Sequence, residues 1–553
     1  MAALWPASKD DLHLKETRFR RVDIAGNRTL YGVFAEYAEL QPQRKWLIFE
    51  RPDGQVCRWT YAEFLSSIHQ AANLLHSLGI AEGDVFNIHM PNHPAYPQLI
   101  LAASLIGAIA MPSNPASTYA ELRYLIEHSG AKVMFTDSDS WETAQKVANH
   151  TNVDLLVLCD ADESETLNYE RMLAQQPATP PPNMGTADKS LQILYTSGTT
   201  SRPKGVTMTN ANFIYGAEAV RAGIGARPDD RHLIVLPLFH GAAQFHALWV
   251  ALIAGGSAAI MPRFSASRYF EQAIAYDATL SALFGAPLRM LLNQPPRPSD
   301  AAHALRNITF AQNLTAAQYD EWHRRFKVPL QQLWGMTETV TVPIMSPVTG
   351  PRNLQAMGRP ILGYEMKIVD ENDHEVAAGE HGQLVVRGTA GRSLMRGYWN
   401  DPDATSKIMR ESRDGIWLYT GDTVYIDTEG FIYFADRGKD MLKRAGERIS
   451  STEIESVVKR CAGVSDACVI GLPDPIRDET IVAVVIREDD CDLSSETVIA
   501  FCQGYLSPFK VPERVVFVEQ FPRTSVGKIQ KHLVRAQLLE GNTDLGLSLK
   551  HPH

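Results

Sequence analysis

The segment Tyr195-Thr-Ser-Gly-Thr-Thr-Ser-Arg-Pro-Lys-Gly-Val206 constrains this chain more than any other. It gathers five Ser and Thr hydroxyls with Gly198, Lys204 and Gly205 into one short connection. The apolar run Leu191-Gln-Ile-Leu-Tyr195 before it reads as a buried strand. Val206-Thr-Met-Thr209 follows, and a helical pattern opens at Asn210, a good N-cap residue. A strand, a glycine- and hydroxyl-rich loop and a lysine in this order can hold a polyphosphate. Glycines let backbone N–H groups approach the anion, hydroxyls donate, and the ammonium adds a point charge. A solvated surface turn is the plainer alternative, but Lys-Gly and five hydroxyls placed after a buried strand favour phosphate. The other common phosphate loop, G-x-x-x-x-G-K-[ST], would need glycine at position 203; the chain has Pro203, and Gly205 follows Lys204 in place of a hydroxyl.

A chain of 553 residues is too long for one core, so two or more domains are expected. Hydrophobic content of 45% and charged content of 21% suit a soluble enzyme. A formal charge of −10 leaves no basic footprint for nucleic acid. The N-terminal residues lack a positive region followed by an apolar stretch, so no secretory signal is expected. The longest apolar run, 99–111, is too short to span a bilayer and reads as a buried helix. Cysteines at 57, 159, 461, 468, 491 and 502 form no C-x-x-C pair, which argues against a zinc site or a disulfide frame. Reduced cysteines in a cytoplasmic protein are the expectation.

Residues 30–170 alternate helical patterns with short strands such as 133–136 and 155–158, and 176–187 is a proline-rich surface linker. From 192 to 334 the alternation continues through strands at 233–236, 257–260 and 280–284 and helices near 246–254 and 267–276. This predicts a layered α/β core with a largely parallel sheet. After about Ile361 short strands and tight turns predict a small β subdomain to 435, with a turn at 427–430 between strands at 424–426 and 431–434. The glycine- and charge-rich run 436–440 suits a hinge. Residues 441–553 then form a compact α+β unit able to fold as its own domain. The expected architecture is a large multi-layer N-terminal domain, 1–435, with parallel-rich sheets, and a small mobile C-terminal domain.

Further segments carry chemistry. Leu333-Trp-Gly-Met-Thr-Glu-Thr339 places Thr337 and Glu338 just past a strand, where ligands bind in open α/β sheets. Trp417-Leu-Tyr-Thr-Gly-Asp422 sets a carboxylate after a glycine turn, and Pro522-Arg-Thr-Ser-Val-Gly-Lys528 ends in a lone lysine. With P-L-F-H at 237–240 and D-R-G-K-D-M-L-K-R-A-G-E-R-I from 436, these motifs stand in one order over residues 30–540. In that order the chain resembles the adenylate-forming superfamily of acyl-CoA synthetases, peptide-synthetase adenylation domains and firefly-type luciferases.

The resemblance implies an enzyme that converts a small-molecule carboxylic acid and Mg-ATP to acyl-AMP and pyrophosphate, then passes the acyl group to coenzyme A. It implies that Thr196, Ser197, Gly198, Thr199, Thr200 and Lys204 face the β- and γ-phosphates. Thr337 would contact the α-phosphate, Glu338 the magnesium, and Asp422 and Arg437 the ribose. Lys528 would bridge the substrate carboxylate and the α-phosphate. Lys439 would be the hinge residue, with Lys443 and Gly446 further along the same run as cofactor-binding candidates. His240 would stand near the reacting carboxylate. Gln312 and Asn313, beside Ala311, would meet the adenine, and Trp334 before Gly335 would form a wall facing the adenine or the acyl group. Phe239, Gly241, Ala242, Ala243, Phe245, Phe284 and Gly285 suggest a mostly apolar acyl pocket. A homodimer is the assembly common among such ligases.

The chain departs from the family pattern in three places, one of them Phe310-Ala-Gln-Asn-Leu-Thr315, which has no glycine where the family often sets a glycine-rich segment beside the adenine. Ser201 stands where the loop usually has glycine, making a positive φ harder to reach, and Trp334 replaces the usual tyrosine. Ser201, Asn313-Leu-Thr315, Ile476-Arg-Asp-Glu479 and Phe509-Lys-Val-Pro512 resemble the crotonobetaine/carnitine–CoA ligase subgroup. An acid–CoA ligase is the leading expectation. The alternatives are a stand-alone adenylating enzyme that loads a carrier protein, an enzyme retaining one half-reaction, and a non-catalytic acyl-adenylate-binding protein.

Overall fold

Short β-branched and aromatic runs become strands, and the amphipathic stretches between them become helices. The computed structural model describes residues 23–160, 167–196, 203–311, 314–350, 353–413, 415–437, 442–444, 447–474, 478–488, 491–506, 508–523 and 529–540. Strands at Val133–Thr136, Leu155–Leu158, Ser257–Ile260 and Leu280–Phe284 occupy the spans the apolar pattern predicts.

Two parallel-rich sheets form the large unit. In the nine-stranded sheet, Leu330–Met336, Asn307–Ala311, Leu280–Phe284, Arg231–Ile234, Ser257–Ile260 and Lys45–Glu50 run parallel as neighbours in that order. Antiparallel strands close both edges. In the seven-stranded sheet, Ser190–Thr196, Ile109–Pro112, Val85–His89, Val133–Thr136 and Leu155–Leu158 are parallel. Lys204–Thr209 and Gly397–Tyr398 extend it antiparallel. One apolar core joins residues of both sheets with the helices Leu30–Leu40, Tyr61–Ser77, Ala95–Ile106 and Asn210–Ile224. Every residue of Ala95–Ile106 is buried, as expected of a helix that is apolar on all sides.

Two expectations change. The apolar run 99–111 is not one helix: the helix stops at Gly107, left-handed at φ 78°, and the chain re-enters the sheet as Ile109–Pro112. A helix and a strand buried on every side look alike in hydropathy, so only the glycine marks the break. Nor does Asn210 cap the following helix. Thr209 does, its hydroxyl accepting from the Asn212 N–H while the Asn212 side chain accepts from the Thr209 N–H. Asn210 instead accepts from the Ser104 hydroxyl at 2.6 Å.

An antiparallel five-stranded sheet follows, built from Glu365–Val369, Gly382–Gly388, Met409–Ser412, Gly415–Ile426 and Ile432–Arg437. Its last strand carries Asp436 and Arg437, which pair with Thr423 and Asp422. The C-terminal unit has its own mixed sheet, in which Arg514–Phe517 lies parallel to Asp478–Arg487, and two apolar clusters of its own. Among the described residues no helix is long and apolar enough to cross a membrane.

Candidate active site

Three neighbouring parallel strands inside the nine-stranded sheet end together at their carboxyl ends. Phe284 is in register with Ala311, and Phe310 with Gln332, which brings Trp334 level with them one step further on. Phe239, Phe284, Ala311, Trp334 and Met336 are half-buried there against the core. Gly335 between the last two is exposed. The crevice outside such carboxyl ends is the usual ligand site of an open α/β sheet.

The Trp334 indole N–H donates to Asp422 Oδ2 at 3.0 Å. Asp422 is buried and follows Gly421 at φ 74°, and its own N–H donates to Thr420 Oγ1 at 3.1 Å. The indole therefore both walls the crevice and aims the carboxylate.

Past Met336 the chain makes a short 3-10 turn, Thr337–Thr339. Thr339 holds it: its hydroxyl accepts from the Met336 N–H at 3.1 Å and donates to the Met336 carbonyl at 2.9 Å. Tyr364 adds a hydroxyl bond to the Thr339 carbonyl at 3.0 Å. Thr337 is left half-buried and Glu338 buried. Val340, next in the chain, is fully buried with φ at 66°. A β-branched residue in that region costs about 1–2 kcal/mol, so surrounding packing must hold the turn in place.

The predicted phosphate loop joins two antiparallel strands, Ser190–Thr196 and Lys204–Thr209, with Thr196 opposite Lys204. Ser197, Gly198, Thr199, Thr200 and Ser201 lie outside the described residues. Gly205 has a different reason from the anion contact expected of it. A Cβ there would come within 2.7 Å of Ile193 Cγ2 and 3.2 Å of Trp399 Cβ, so glycine lets neighbouring side chains close over the strand. The helix Tyr119–Ser129 braces both arms of this hairpin. His128 Nδ1 hydrogen-bonds the Tyr195 hydroxyl at 2.7 Å, and the Tyr124 hydroxyl donates to the Pro203 carbonyl at 3.0 Å. A cavity of about 290 Å³ opens beside Lys204 between this helix and Trp399.

A run of contacts joins the hairpin to the Thr-Glu turn. Lys204 Nζ is 4.9 Å from the centroid of the Tyr398 ring. The Tyr398 hydroxyl donates to Glu338 Oε1 at 2.8 Å. Burial, and then the Glu338 carboxylate, push the Tyr398 phenol pKa up, so it stays a donor at neutral pH.

On the acyl side, His240 Nδ1 accepts from the Ala242 N–H at 3.2 Å, and Phe284 meets its ring edge-on at 5.7 Å. Burial pushes its pKa down to about 4, so the neutral ring carries its proton on Nε2 at pH 7. Gly241 packs beside Phe245 with space for ordinary contact, and Phe245 stacks on Phe213 at 4.8 Å. Gly285 begins the helix Gly285–Leu292 after Phe284. The predicted helix near 246–254 opens with a π turn, Gln244–Leu248, a feature frequent at functional sites. Gln244 pairs reciprocally with Gln192 at 2.9 and 3.1 Å, tying this turn to the strand that ends at Thr196.

The structure thus brings Thr196, Lys204, His240, Trp334, Thr337, Glu338, Asp422 and Phe284 to neighbouring segments. Arg437 and Lys443 are described by backbone alone, in the strands Ile432–Arg437 and Leu442–Arg444. Gln312, Asn313, Lys439, Gly446 and Lys528 lie outside the described residues. Sequence reasoning passed over Tyr398 and His246. No periodicity marks a two-residue strand, and His246 reads as one polar residue in an apolar helix. Burial and the neighbouring His240 push His246 down to about 3.

Magnesium suits this donor set. Among the described residues no group of three or more His, Cys, Asp or Glu could hold a metal by itself. One buried carboxylate, Glu338, faces the phosphate-loop lysine through Tyr398. Magnesium is commonly bound by one or two carboxylates completed by substrate phosphates and water.

Comparison with known proteins agrees with this geometry. Residues 34–399 match the model of the AMP-binding enzyme family, and residues 453–528 match the AMP-binding enzyme C-terminal domain. The chain is 35% identical over 520 residues to the crotonobetaine/carnitine–CoA ligase of Proteus mirabilis (strain HI4320), covering 93% of this chain and 100% of that protein. ATP-bound MatB from Rhodopseudomonas palustris superimposes with a TM-score of 0.83 at 26% identity, over 92% of this chain and 99% of that one. The anthranilate CoA ligase AuaEII in complex with anthranoyl-AMP shares the fold, with a TM-score of 0.84 at 22% identity over 93% and 98% of the two chains. By the span of the family match and the full-length likeness to a curated ligase, this chain belongs to the AMP-binding enzyme family.

Proposed function

We propose that the crevice at Trp334 activates a mostly apolar carboxylic acid that carries no charge beyond its carboxylate, with each residue in the role set out below. The reaction class is ATP-dependent acid–CoA ligation through acyl-AMP. A carboxylate oxygen attacks the α-phosphorus, and the bond to pyrophosphate breaks. The thiol sulfur of coenzyme A then attacks the acyl carbon, the bond to AMP breaks, and the thiol proton passes to solvent.

Both partners in the first step are anions, so cationic groups must lie between them. Bound magnesium supplies charge neutralisation at the phosphates, and Glu338 is the residue that would hold it. The Lys204 ammonium faces the β- and γ-phosphates together with Thr196 and residues 197–200. Thr337 contacts the α-phosphate. Asp422, aimed by Trp334, accepts from the ribose hydroxyls beside Arg437. Lys528 bridges the two reacting anions and leaves before the thiol enters, as the 441–553 unit turns about Lys439. His240 offers its Nε2–H at the acyl pocket. Among the described residues read as lining that pocket, Phe239, Phe284 and a neutral His240 offer no carboxylate to pair with a quaternary ammonium. The formal charge of −10 speaks against a nucleic-acid partner. Six free cysteines agree with a reducing, cytoplasmic setting, and a homodimer is the expected assembly.

The observation that carries this reading is the chain of contacts Lys204–Tyr398–Glu338, with Trp334, on the strand that leads into the Glu338 turn, donating to Asp422. To test it, the protein is incubated with Mg-ATP, coenzyme A and aryl, branched, straight-chain and quaternary-ammonium acids, and pyrophosphate and acyl-CoA are measured by mass spectrometry. Acyl-CoA from the apolar acids is expected; product from carnitine or crotonobetaine alone refutes the pocket assignment. Lys528→Ala should lose about 10²–10³-fold in adenylation yet keep thioester formation from a supplied acyl-AMP. Equal loss of both steps refutes the role given to Lys528.

A further inference from the structure

Tyr398 touches two charged groups that belong to different sheets. Lys204 opens the Lys204–Thr209 strand of the seven-stranded sheet, and Glu338 lies in the turn after Leu330–Met336 of the nine-stranded sheet. The Gly397–Tyr398 strand runs between them, and its backbone is held on the Lys204 side by several bonds. Gly397 and Tyr398 pair with Thr207 and Val206. The Arg396 N–H donates to the Thr207 carbonyl at 2.9 Å and the Trp399 N–H to the Gly205 carbonyl at 2.7 Å. The Tyr398 N–H donates to Thr405 Oγ1 at 2.8 Å. On the other side, the Met395 N–H donates to the Glu338 carbonyl at 3.0 Å. The segment 395–399 therefore clamps the start of the Lys204 strand to the Glu338 backbone. Within that clamp one side chain meets both charged groups: the ring face lies 4.9 Å from Lys204 Nζ, and the hydroxyl lies 2.8 Å from Glu338 Oε1.

We infer that Tyr398 is a positioning residue that sets the spacing and orientation of the Lys204 ammonium and the Glu338 carboxylate, so that one magnesium–triphosphate meets both at once. The inference rests on the reading of Glu338 as the magnesium-facing carboxylate. A phenol O–H is a directional donor, and its bond to an ionised oxygen is stronger than a neutral one. It holds the plane of the Glu338 carboxylate through Oε1. The ring face attracts the ammonium without neutralising it, as a second carboxylate would. Lysine has four rotatable bonds in its stem, and an aromatic face limits where its head can go. No other side chain of the 395–399 segment is in a position to act on both groups through one rigid ring.

Tyr398→Phe keeps the ring beside Lys204 and removes only the donor to Glu338, while Tyr398→Leu removes both. The binding of Mn²⁺ to the enzyme–ATP complex, read by electron paramagnetic resonance, needs no acid substrate and reports the site directly. Tyr398→Phe should weaken Mn²⁺ binding about tenfold, the loss of one charge-assisted hydrogen bond. The Mg²⁺ concentration for half-maximal ATP–pyrophosphate exchange should rise by about the same factor, and kcat at saturating Mg²⁺ should change less than about threefold. Tyr398→Leu should weaken ATP binding as well, by about a further fivefold. The melting temperature of Tyr398→Phe without ligand should stay close to wild type. Unchanged Mn²⁺ binding in Tyr398→Phe, with Glu338→Gln losing it, overturns the role of Tyr398 and leaves the reading of Glu338 intact. Unchanged Mn²⁺ binding in Glu338→Gln overturns both. A lower melting temperature with unaltered metal dependence makes Tyr398 a merely structural residue and also overturns the inference. The near-isosteric Phe variant decides the question even where Tyr398→Leu fails to fold.

Discussion

At position 334 the chain carries an indole, whose one polar atom is a donor. The Trp334 N–H lies in the ring plane and reaches Asp422 Oδ2 at 3.0 Å. A buried carboxylate that accepts from a donor fixed in a ring plane is held in orientation, which a diol such as ribose requires. Trp334→Phe keeps an apolar wall and deletes the donor. ATP KM in the exchange assay should rise about tenfold, or about 1.4 kcal/mol, with kcat reduced less. A lower kcat at unchanged KM would place Trp334 against the acid and not the nucleotide. The lysine, glutamate and aspartate of the site were legible because their chemistry is tied to short motifs. Tyr398 was not, since tyrosine beside tryptophan reads as core or edge. Gly205 was legible as a required glycine, but not for its reason, the close approach of Ile193 and Trp399.

Between residue and domain, the loop 235–240 illustrates how an element without regular structure is held still. Asn92, buried, donates to the carbonyls of Leu236 and Met261 at 3.0 Å each and accepts from the Leu238 N–H at 2.7 Å. One side chain thus replaces ladder partners the loop lacks and fixes the approach to Phe239 and His240. Asn92→Ala leaves these backbone groups unpaired in the interior. It should cost about 2–3 kcal/mol in urea unfolding and raise the KM for the acid more than that for ATP. An equal rise in both constants would separate Asn92 from the acyl side. Strands of four or five residues at 133–136 and 280–284 were readable from hydropathy alone. The stop at Gly107 and the π turn at Gln244–Leu248 were not, because apolar composition continues unbroken through both.

Across the whole molecule, burial governs how stability responds to acid. His89 and His232 lie in the interior, and burial pushes both down to about 4. Both nitrogens of His232 and Nε2 of His89 have no hydrogen-bond partner among the described residues. His93 and His240 are lowered to about 4 and His246 to about 3 in the same way. Unfolded, these rings bind a proton near pH 6.5, while folded they do not until near pH 4, so the unfolded state binds more protons in between. Their stabilising effect is complete above about pH 6.5 and falls away as the pH drops towards 4, by about 1.4 kcal/mol per pH unit for each fully buried ring. Melting temperature measured from pH 7.5 to 4.5 should therefore fall steadily below about 6.5, and His232→Gln should flatten the slope. A flat profile over that range would mean the rings are hydrated. By itself the sequence determined the alternation of strands and helices and the ordered motifs that mark the family, because apolar period, glycine placement and hydroxyl clustering are local properties of the chain. Only the tertiary structure decided that Tyr398 bridges Lys204 and Glu338 and that Trp334 aims Asp422. Those pairs lie 60 and 88 residues apart for the two hydrogen bonds, and sheet order and strand register, set by packing of the whole core, bring them within reach.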